Sequence, residues 1–219
     1  MPDELLIEDL DRDGAVAEAT AELKTSRSGL LRRVGLLAGG GLVAGIVPMA
    51  LSRAQSTSKN DVKILNYALT LEYLEAAFYA EALSKGKLEG SILNFAQVVA
   101  RHEAEHVTAL EAALGSAATK KPSFDFKGTT NSQKTFLSTA KVLEDTGVSA
   151  YQGQATEIDS KAILATAGSI LAVEARHASW VRNIIGAGKE LKPAPDVFNP
   201  ALTMKQVLAA VGDTGFIKS

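Results

Sequence analysis

The 219-residue chain contains no cysteine, and aromatic residues make up only 5% of it. The absence of cysteine excludes disulfides, thiolate metal sites and cysteine nucleophiles. An excess of one charge is also lacking, since the net charge is −2 at pH 7, and this gives no reason to expect nucleic acid as a partner. What the chain does have is 46% hydrophobic residues, enough for one good-sized core.

The first 55 residues differ in composition from the rest of the chain. Residues 1–28 are acidic and poor in aromatic residues, and we predict that they are disordered. Residues 29–55 contain Arg32 and Arg33, then an apolar run with several glycines, then a small-residue site at Ala54. This order is typical of an export signal, and the paired arginines are typical of the twin-arginine route. We predict export by that machinery to the periplasm or cell envelope; an uncleaved membrane anchor is the alternative.

We predict that residues 58–187 form a helical bundle and that residues 188–219 form a Pro-rich tail with one short helix. Apolar residues recur in three-four alternation over four long stretches, at about 61–83, 92–115, 133–158 and 161–186. Thr203 and Gln206 are spaced as a capping box for a short helix that ends at Gly212. No stretch alternates in hydrophobicity, so we predict an all-α protein without strands.

The lengths of the connections predict the topology. Helices one and two are joined by a few residues, as are helices three and four, and short loops force antiparallel neighbours. Residues 116–131, between helices two and three, could extend over about 50 Å at roughly 3.3 Å per residue. That exceeds the height of a long helix, so this segment can cross the full bundle. One long crossover between two helical hairpins is the ferritin-like arrangement of four helices.

Charged residues occupy positions where the apolar seams of helices two and four need core residues. Glu103 and His106 lie in one seam, and Glu174 and His177 lie in the other. Residues three apart share a helix face, so each Glu-x-x-His pair could bind one ion together. The remaining histidine, His102, is predicted to lie at the surface or outside the ligand set.

Helices one and three each carry a carboxylate in the seam with a tyrosine seven residues later. These pairs are Glu72 with Tyr79 and Glu144 with Tyr151. Glu75 lies near the same face and competes with Glu72 for this position, but the spacing to tyrosine favours Glu72. The tyrosines are either ordinary bundle residues or hydrogen-bond partners of the carboxylates.

Four ionised carboxylates in an apolar core are too costly unless cations neutralise them. Two divalent cations would cancel the four charges and leave a neutral site with neutral imidazoles. Carboxylate and imidazole ligands without sulfur suit iron or manganese, and zinc would also bind. The alternative is a metal-free bundle with solvated Glu-x-x-His pairs.

Three stretches carry a family resemblance: ILNYALTLEYLEAAFY, RHEAEHVTALEAALG and SILAVEARHASWVRNIIG. Over about residues 60–187 they resemble exported ferritin-like domain proteins of the di-iron carboxylate type, a group that includes desiccation-related proteins. The resemblance implies terminal ligands at Glu72 and Glu144 and bridging ligands at Glu103 and Glu174. It also implies one histidine ligand to each of two iron ions, from His106 and His177.

The resemblance further implies a protein that oxidises Fe(II) or consumes oxygen or peroxide in protection against oxidative stress. A manganese catalase-like activity and a non-catalytic envelope protein with a structural or vestigial metal site are the alternatives. No haem is expected, because Met204 is the only methionine beyond the leader and lies outside the bundle. A homodimer is compatible with the sequence.

Overall fold

The computed structural model describes residues 57–186 and 192–218. The predicted acidic extension and export signal, with Arg32 and Arg33, lie outside the described residues. The described chain forms helices α1 (Lys59–Ser84), α2 (Gly90–Leu114), α3 (Gln133–Gln154), α4 (Lys161–Ile185) and α5 (Met204–Thr214). Two short strands, β1 (Ser123–Phe124) and β2 (Ile217–Lys218), form an antiparallel pair. Within these residues, none of the helices combines the length and apolar character needed to cross a bilayer.

Side-chain caps fix where the helices begin. The hydroxyls of Ser58, Ser132 and Ser160 accept hydrogen bonds from backbone N–H groups in the first turns of α1, α3 and α4. The predicted capping box of Thr203 and Gln206 is confirmed at the start of α5.

The long connection, residues 115–132, runs along α1 from about Asn66 to the C-terminal end of that helix. Near its start, the Asn66 side chain donates to the Ala117 carbonyl at 2.9 Å. Near its end, the Lys85 ammonium donates to Thr130 at 2.6 Å and to Asn131 at 2.8 Å. Asn66 and Lys85 are 19 residues apart, about 28 Å along a helix. The predicted all-α, ferritin-like bundle with one long crossover is therefore confirmed.

The helices pack as two hairpins, α1 with α2 and α3 with α4, and α1 also contacts α3 while α2 contacts α4. The core has two apolar clusters, one at each end of the bundle. One is rich in aromatic rings, including Phe78, Phe95 and Phe136, and the other is mainly aliphatic, including Leu69 and Ile163. Along each long helix, the buried glutamate of the seam lies between residues of the two clusters.

Two predicted helix ends were wrong, and one feature was not predicted. The third helix was expected to reach Ile158, but α3 ends at Gln154 and a 3₁₀ turn, Ala155–Glu157, follows it. The short helix continues past Gly212 to Thr214 and is ended by Gly215, which has φ +63°. The pairing of β1 with β2 was not predicted, because two-residue strands are too short to show alternation.

Candidate metal centre

All four long helices contribute buried charged side chains at mid-bundle. Glu72, Glu103, Glu144 and Glu174 are each 0% exposed, and His106 and His177 are also buried. In every case the helix places the side chain in the seam that the sequence predicted, between apolar residues above and below. The structure therefore brings together all six of the predicted ligand residues.

The six residues form two overlapping groups whose potential ligand atoms lie within 4.8 Å of one another. The first group contains Glu72, Glu103, His106 and Glu174, and the second contains Glu103, Glu144, Glu174 and His177. Glu103 and Glu174 belong to both. A carboxylate has two oxygens, so these two glutamates could each contact two ions at once.

Both imidazoles turn Nδ1 toward the carboxylates. His106 Nδ1 lies 3.3 Å from Glu72 Oε2, 3.2 Å from Glu103 Oε2 and 3.2 Å from Glu174 Oε1. His177 Nδ1 lies 3.1 Å from Glu103 Oε1 and 3.2 Å from Glu144 Oε2. Each group thus presents one nitrogen and several oxygens to a common centre.

The two tyrosines hydrogen-bond the carboxylates crosswise between the hairpins. The Tyr79 hydroxyl, on α1, donates to Glu144 Oε1 on α3. The Tyr151 hydroxyl, on α3, donates to Glu72 Oε1 on α1 at 2.5 Å. Tyr79 and Tyr151 are therefore hydrogen-bond partners of the carboxylates, which was one of the two alternatives that the sequence left open. Each bond leaves the second oxygen of the glutamate facing the histidine.

Several polar atoms of this cluster lack hydrogen-bond partners, although they are fully buried. Among the described residues they are Glu103 Oε1, Glu144 Oε2, both carboxylate oxygens of Glu174 and His177 Nδ1. Unsatisfied buried polar atoms are costly and rare in proteins. These atoms point toward one another without hydrogen-bond geometry, an arrangement that fits a shared cation. Oxygen and imidazole donors without sulfur fit iron, manganese or zinc.

Burial and mutual repulsion make this cluster bind protons when no cation is present. Burial raises the pKa of Glu103 to about 7. Burial and the charge of Glu103 also hold the pKa of Glu174 well above its usual 4.5. Burial lowers the pKa of His177, but the carboxylates of Glu103 and Glu144 outweigh it and raise that pKa to about 10. Cations that bind here would displace these protons.

Glu75 is a fifth buried carboxylate beside this cluster. It is 3% exposed, and burial and the charges of Glu174 and Glu144 raise its pKa well above 4.5. A Cβ added at Gly147 would lie 3.4 Å from Glu75 Oε1 and 2.9 Å from Glu174 Oε2, so glycine leaves room there for both carboxylates. Sequence reasoning posed Glu72 and Glu75 as competitors. The structure buries both, and it is Glu72 that belongs to one of the two groups.

His102 contacts the centre from outside. Its Nδ1 lies 2.8 Å from His177 Nε2, the ring nitrogen that faces away from the carboxylates. The sequence predicted only a surface position or one outside the ligand set. The available signal was the spacing of four residues between His102 and His106, because residues four apart lie on the same face of a helix.

Comparison with known proteins agrees with this geometry. The model of the ferritin-like domain family matches residues 60–187, which span all four long helices of the bundle and every residue of the cluster. No curated protein matches the chain. On the family match, together with the two helical hairpins and the crossover between them, the chain belongs to the ferritin-like domain family.

Proposed function

We propose that this bundle binds two divalent metal ions, iron in particular, and oxidises Fe(II) with dioxygen or peroxide as the oxidant. One observation carries the proposal: two four-residue groups of ligand atoms share Glu103 and Glu174. Two dications balance the charge of four carboxylates, whereas a single dication would neutralise only half of that charge. Two Fe(II) ions held there would supply two electrons, enough to reduce one peroxide to two waters when two protons are added.

The protein's own contribution is to fix the carboxylates before any ion arrives. Tyr79 and Tyr151 hold Glu144 and Glu72 by hydrogen bonds, so these side chains keep one rotamer in the core. Burial and the neighbouring carboxylates raise the pKa of both phenols well above 10, which keeps them protonated as donors. Preorganised donors of this kind orient ligands and sharpen the choice of ion.

The test is a titration of the metal-free full chain with Fe(II), first under anaerobic conditions and then with added peroxide or air. We expect two Fe(II) per chain and oxidation faster than in buffer. Glu103→Ala combined with Glu174→Ala removes both shared residues and should abolish binding of the pair. Glu105→Ala is the matched control, because Glu105 is on the same helix but exposed. Binding of a single ion, or oxidation no faster than in buffer, would overturn the proposal.

A second candidate is a bundle that metal merely stabilises. It is favoured by the depth of the cluster: among the six residues the His106 side chain is the most exposed, at 11%, which limits access for an oxidant. In that case the wild-type protein would bind two ions without oxidising Fe(II). A manganese catalase-like activity is the further alternative, and release of dioxygen from peroxide by the Mn(II)-loaded protein would identify it.

We also propose that the protein is exported and acts against oxidative or desiccation stress at the cell envelope. The support for export is the sequence of residues 29–55, with paired Arg32 and Arg33 before an apolar run; the stress role is proposed from the resemblance alone. Replacement of both arginines by lysine should retain the protein in the cytoplasm. Fractionation of cells that produce the full chain tests this, and unchanged location of the variant would contradict it.

A further inference from the structure

The two halves of the bundle repeat one pattern, and His102 marks a place where they differ. Glu103 and Glu174 are 71 residues apart, as are His106 and His177. The same offset pairs His102 with Val173. An imidazole therefore precedes the shared glutamate in one hairpin, whereas an aliphatic side chain precedes it in the other.

His102 makes a close contact with His177 through defined atoms. His102 Nδ1 is 2.8 Å from His177 Nε2, and the two rings meet edge to edge, with centroids 5.1 Å apart and an interplanar angle of 18°. The other nitrogen of His177, Nδ1, faces Glu103 and Glu144. His177 is buried, whereas His102 is only half-buried.

This geometry determines which tautomer of His177 can bind a cation. A nitrogen that binds a metal carries no proton, so Nδ1 must be free and the proton of the neutral ring must lie on Nε2. The Nε2–H then donates to His102 Nδ1, which fixes both the tautomer and the rotation of the His177 ring. Partners of this kind commonly change metal affinity by about 10- to 100-fold.

His106 has no equivalent of this partner in the pseudo-symmetric position. Val173 occupies that position, and a valine side chain cannot accept a hydrogen bond. The two groups of ligands have matching members, since each has one unshared glutamate, one histidine and a tyrosine that binds the glutamate. The difference between His102 and Val173 is therefore one by which the two ion positions depart from the repeat, and it acts directly on a histidine of the ligand set.

We propose that His102 is a positioning residue that makes the ion position of Glu144 and His177 bind its cation before, and more tightly than, the position of Glu72 and His106. This inference rests on the proposed two-metal centre and concerns the order in which it fills. It does not require that the centre oxidise anything.

The experiment is an anaerobic titration of the metal-free full chain with Co(II), monitored through the visible absorbance of the bound ion. Wild-type protein should take up two ions in two resolved steps. His102→Val, which copies the other half, should weaken the first step by about 10- to 100-fold and merge the two. His102→Asn should restore the first step, because its Oδ1 can accept from His177 as Nδ1 does.

A variant of the other hairpin provides the matched control. Val173→His should strengthen the second step by supplying the missing acceptor. A second readout is the NMR signal of the His177 Nε2–H in the Zn(II)-loaded protein, which should exchange slowly with water in wild type and in His102→Asn, where it is hydrogen-bonded, and rapidly in His102→Val.

The outcomes separate this inference from the proposed function. Suppose that wild type and His102→Val both bind two Co(II) ions and that their affinities for the first ion differ by less than twofold. The role of His102 is then overturned and the two-metal centre stands. If wild-type protein binds no Co(II), both fail. Circular dichroism verifies that each variant is folded, and His102 is half-buried, so its replacement is not expected to unfold the bundle.

Discussion

At the scale of single residues, Glu75 and Gly147 break the internal repeat in a way that changes the charge of the core. Glu72 and Glu144 are 72 residues apart, and the same offset pairs Glu75 with Gly147. The extra carboxylate on α1 thus has only a hydrogen atom opposite it on α3. With two dications balancing four carboxylates, Glu75 is the fifth charge, and burial favours its neutral, protonated form.

Glu75→Gln should stabilise the metal-free protein in a pH-dependent way. The raised pKa of Glu75 means that folding costs free energy at any pH where the unfolded chain ionises this group. Glutamine removes that cost, so we expect a gain on the order of 1 kcal/mol or more at pH 8 and almost none at pH 4. Urea unfolding at the two pH values measures the difference.

The exposed Glu105→Gln serves as the control for that comparison and should show no such pH dependence. The Glu75→Gln protein should still bind two ions, because Glu75 belongs to neither group of ligand atoms. Loss of one ion in this variant would contradict the assignment.

Gly147→Ala should weaken metal binding while the helix itself gains stability. Alanine is favoured over glycine in a helix interior by about 1 kcal/mol, but its Cβ would lie 2.9 Å from Glu174 Oε2 and push that carboxylate aside. We expect Co(II) affinity to fall by about 10-fold or more, the range seen when ligand orientation is lost. Gly168→Ala on α4 is the control, since an added Cβ there meets nothing within 4 Å. Equal Co(II) affinities in the two variants would refute this prediction.

At the scale of elements, the C-terminal tail is held against α3 by one close backbone approach. A Cβ at Gly153 would overlap the carbonyl oxygen of Leu202. The Leu202 N–H also donates to the Ser149 carbonyl at 3.1 Å. These contacts position α5, whose Val207 and Val211 are buried in the aromatic-rich cluster of the core.

Gly153→Ala should therefore push the tail away from α3 at Leu202, because the overlapping atom belongs to the backbone and cannot rotate away. We expect a loss of about 1–3 kcal/mol in the free energy of unfolding, typical of overpacking, and faster proteolysis after residue 192. Limited digestion followed by mass spectrometry locates the cleavage. Gly212→Ala in α5 is the matched control, because its Cβ would meet no atom within 4 Å. An intact tail in Gly153→Ala would contradict the proposed contact.

Sequence reasoning reached the long helices and the buried charges because both follow from local periodicity. Glu103 and Glu174 stood out as charges in otherwise apolar seams, and the seams fixed which way each helix faces. Periodicity says nothing about contacts between helices. The sequence therefore could not predict the hydrogen bond between His102 and His177 or the close approach of Leu202 to Gly153. The end of α3 was missed because residues 155–158 look helical locally, yet their backbone turns to meet α1, where the Asn60 amide donates to the Glu157 carbonyl.

At the scale of the whole molecule, the buried cluster makes the stability of the metal-free protein depend on pH. The pKa of Glu103 is raised from 4.5 to about 7, and that of His177 from 6.5 to about 10. When the pKa of a group is higher in the folded protein than in the unfolded chain, the protonated group favours folding. This stability is complete below the pKa of the unfolded chain and is lost as the pH rises through the pKa of the folded protein. Glu72 acts in the opposite direction, since His106 outweighs burial and lowers its pKa, so its contribution is lost in acid.

We therefore expect the melting temperature of the metal-free protein to fall as the pH rises from about 5 to 8. Divalent cations displace the protons, so their affinity should rise over the same interval and restore the melting temperature most strongly at pH 8. Thermal unfolding with and without Mn(II) at several pH values measures both trends. The variant Glu103→Gln, which cannot ionise, should flatten the curve of the metal-free protein. A metal-free melting temperature that climbs steadily from pH 5 to 8 would contradict this account.

The crosswise bonds from Tyr79 to Glu144 and from Tyr151 to Glu72 have a consequence for folding. Neither hairpin can complete an ion position by itself, since each tyrosine orients a glutamate of the other hairpin and each shared glutamate serves both positions. A nascent chain that has released only α1 and α2 therefore holds three of the four residues of one group and one of the four residues of the other. Metal ions should therefore bind late in folding, after the two hairpins have docked. Isolated halves of the chain should bind metal only after they are mixed.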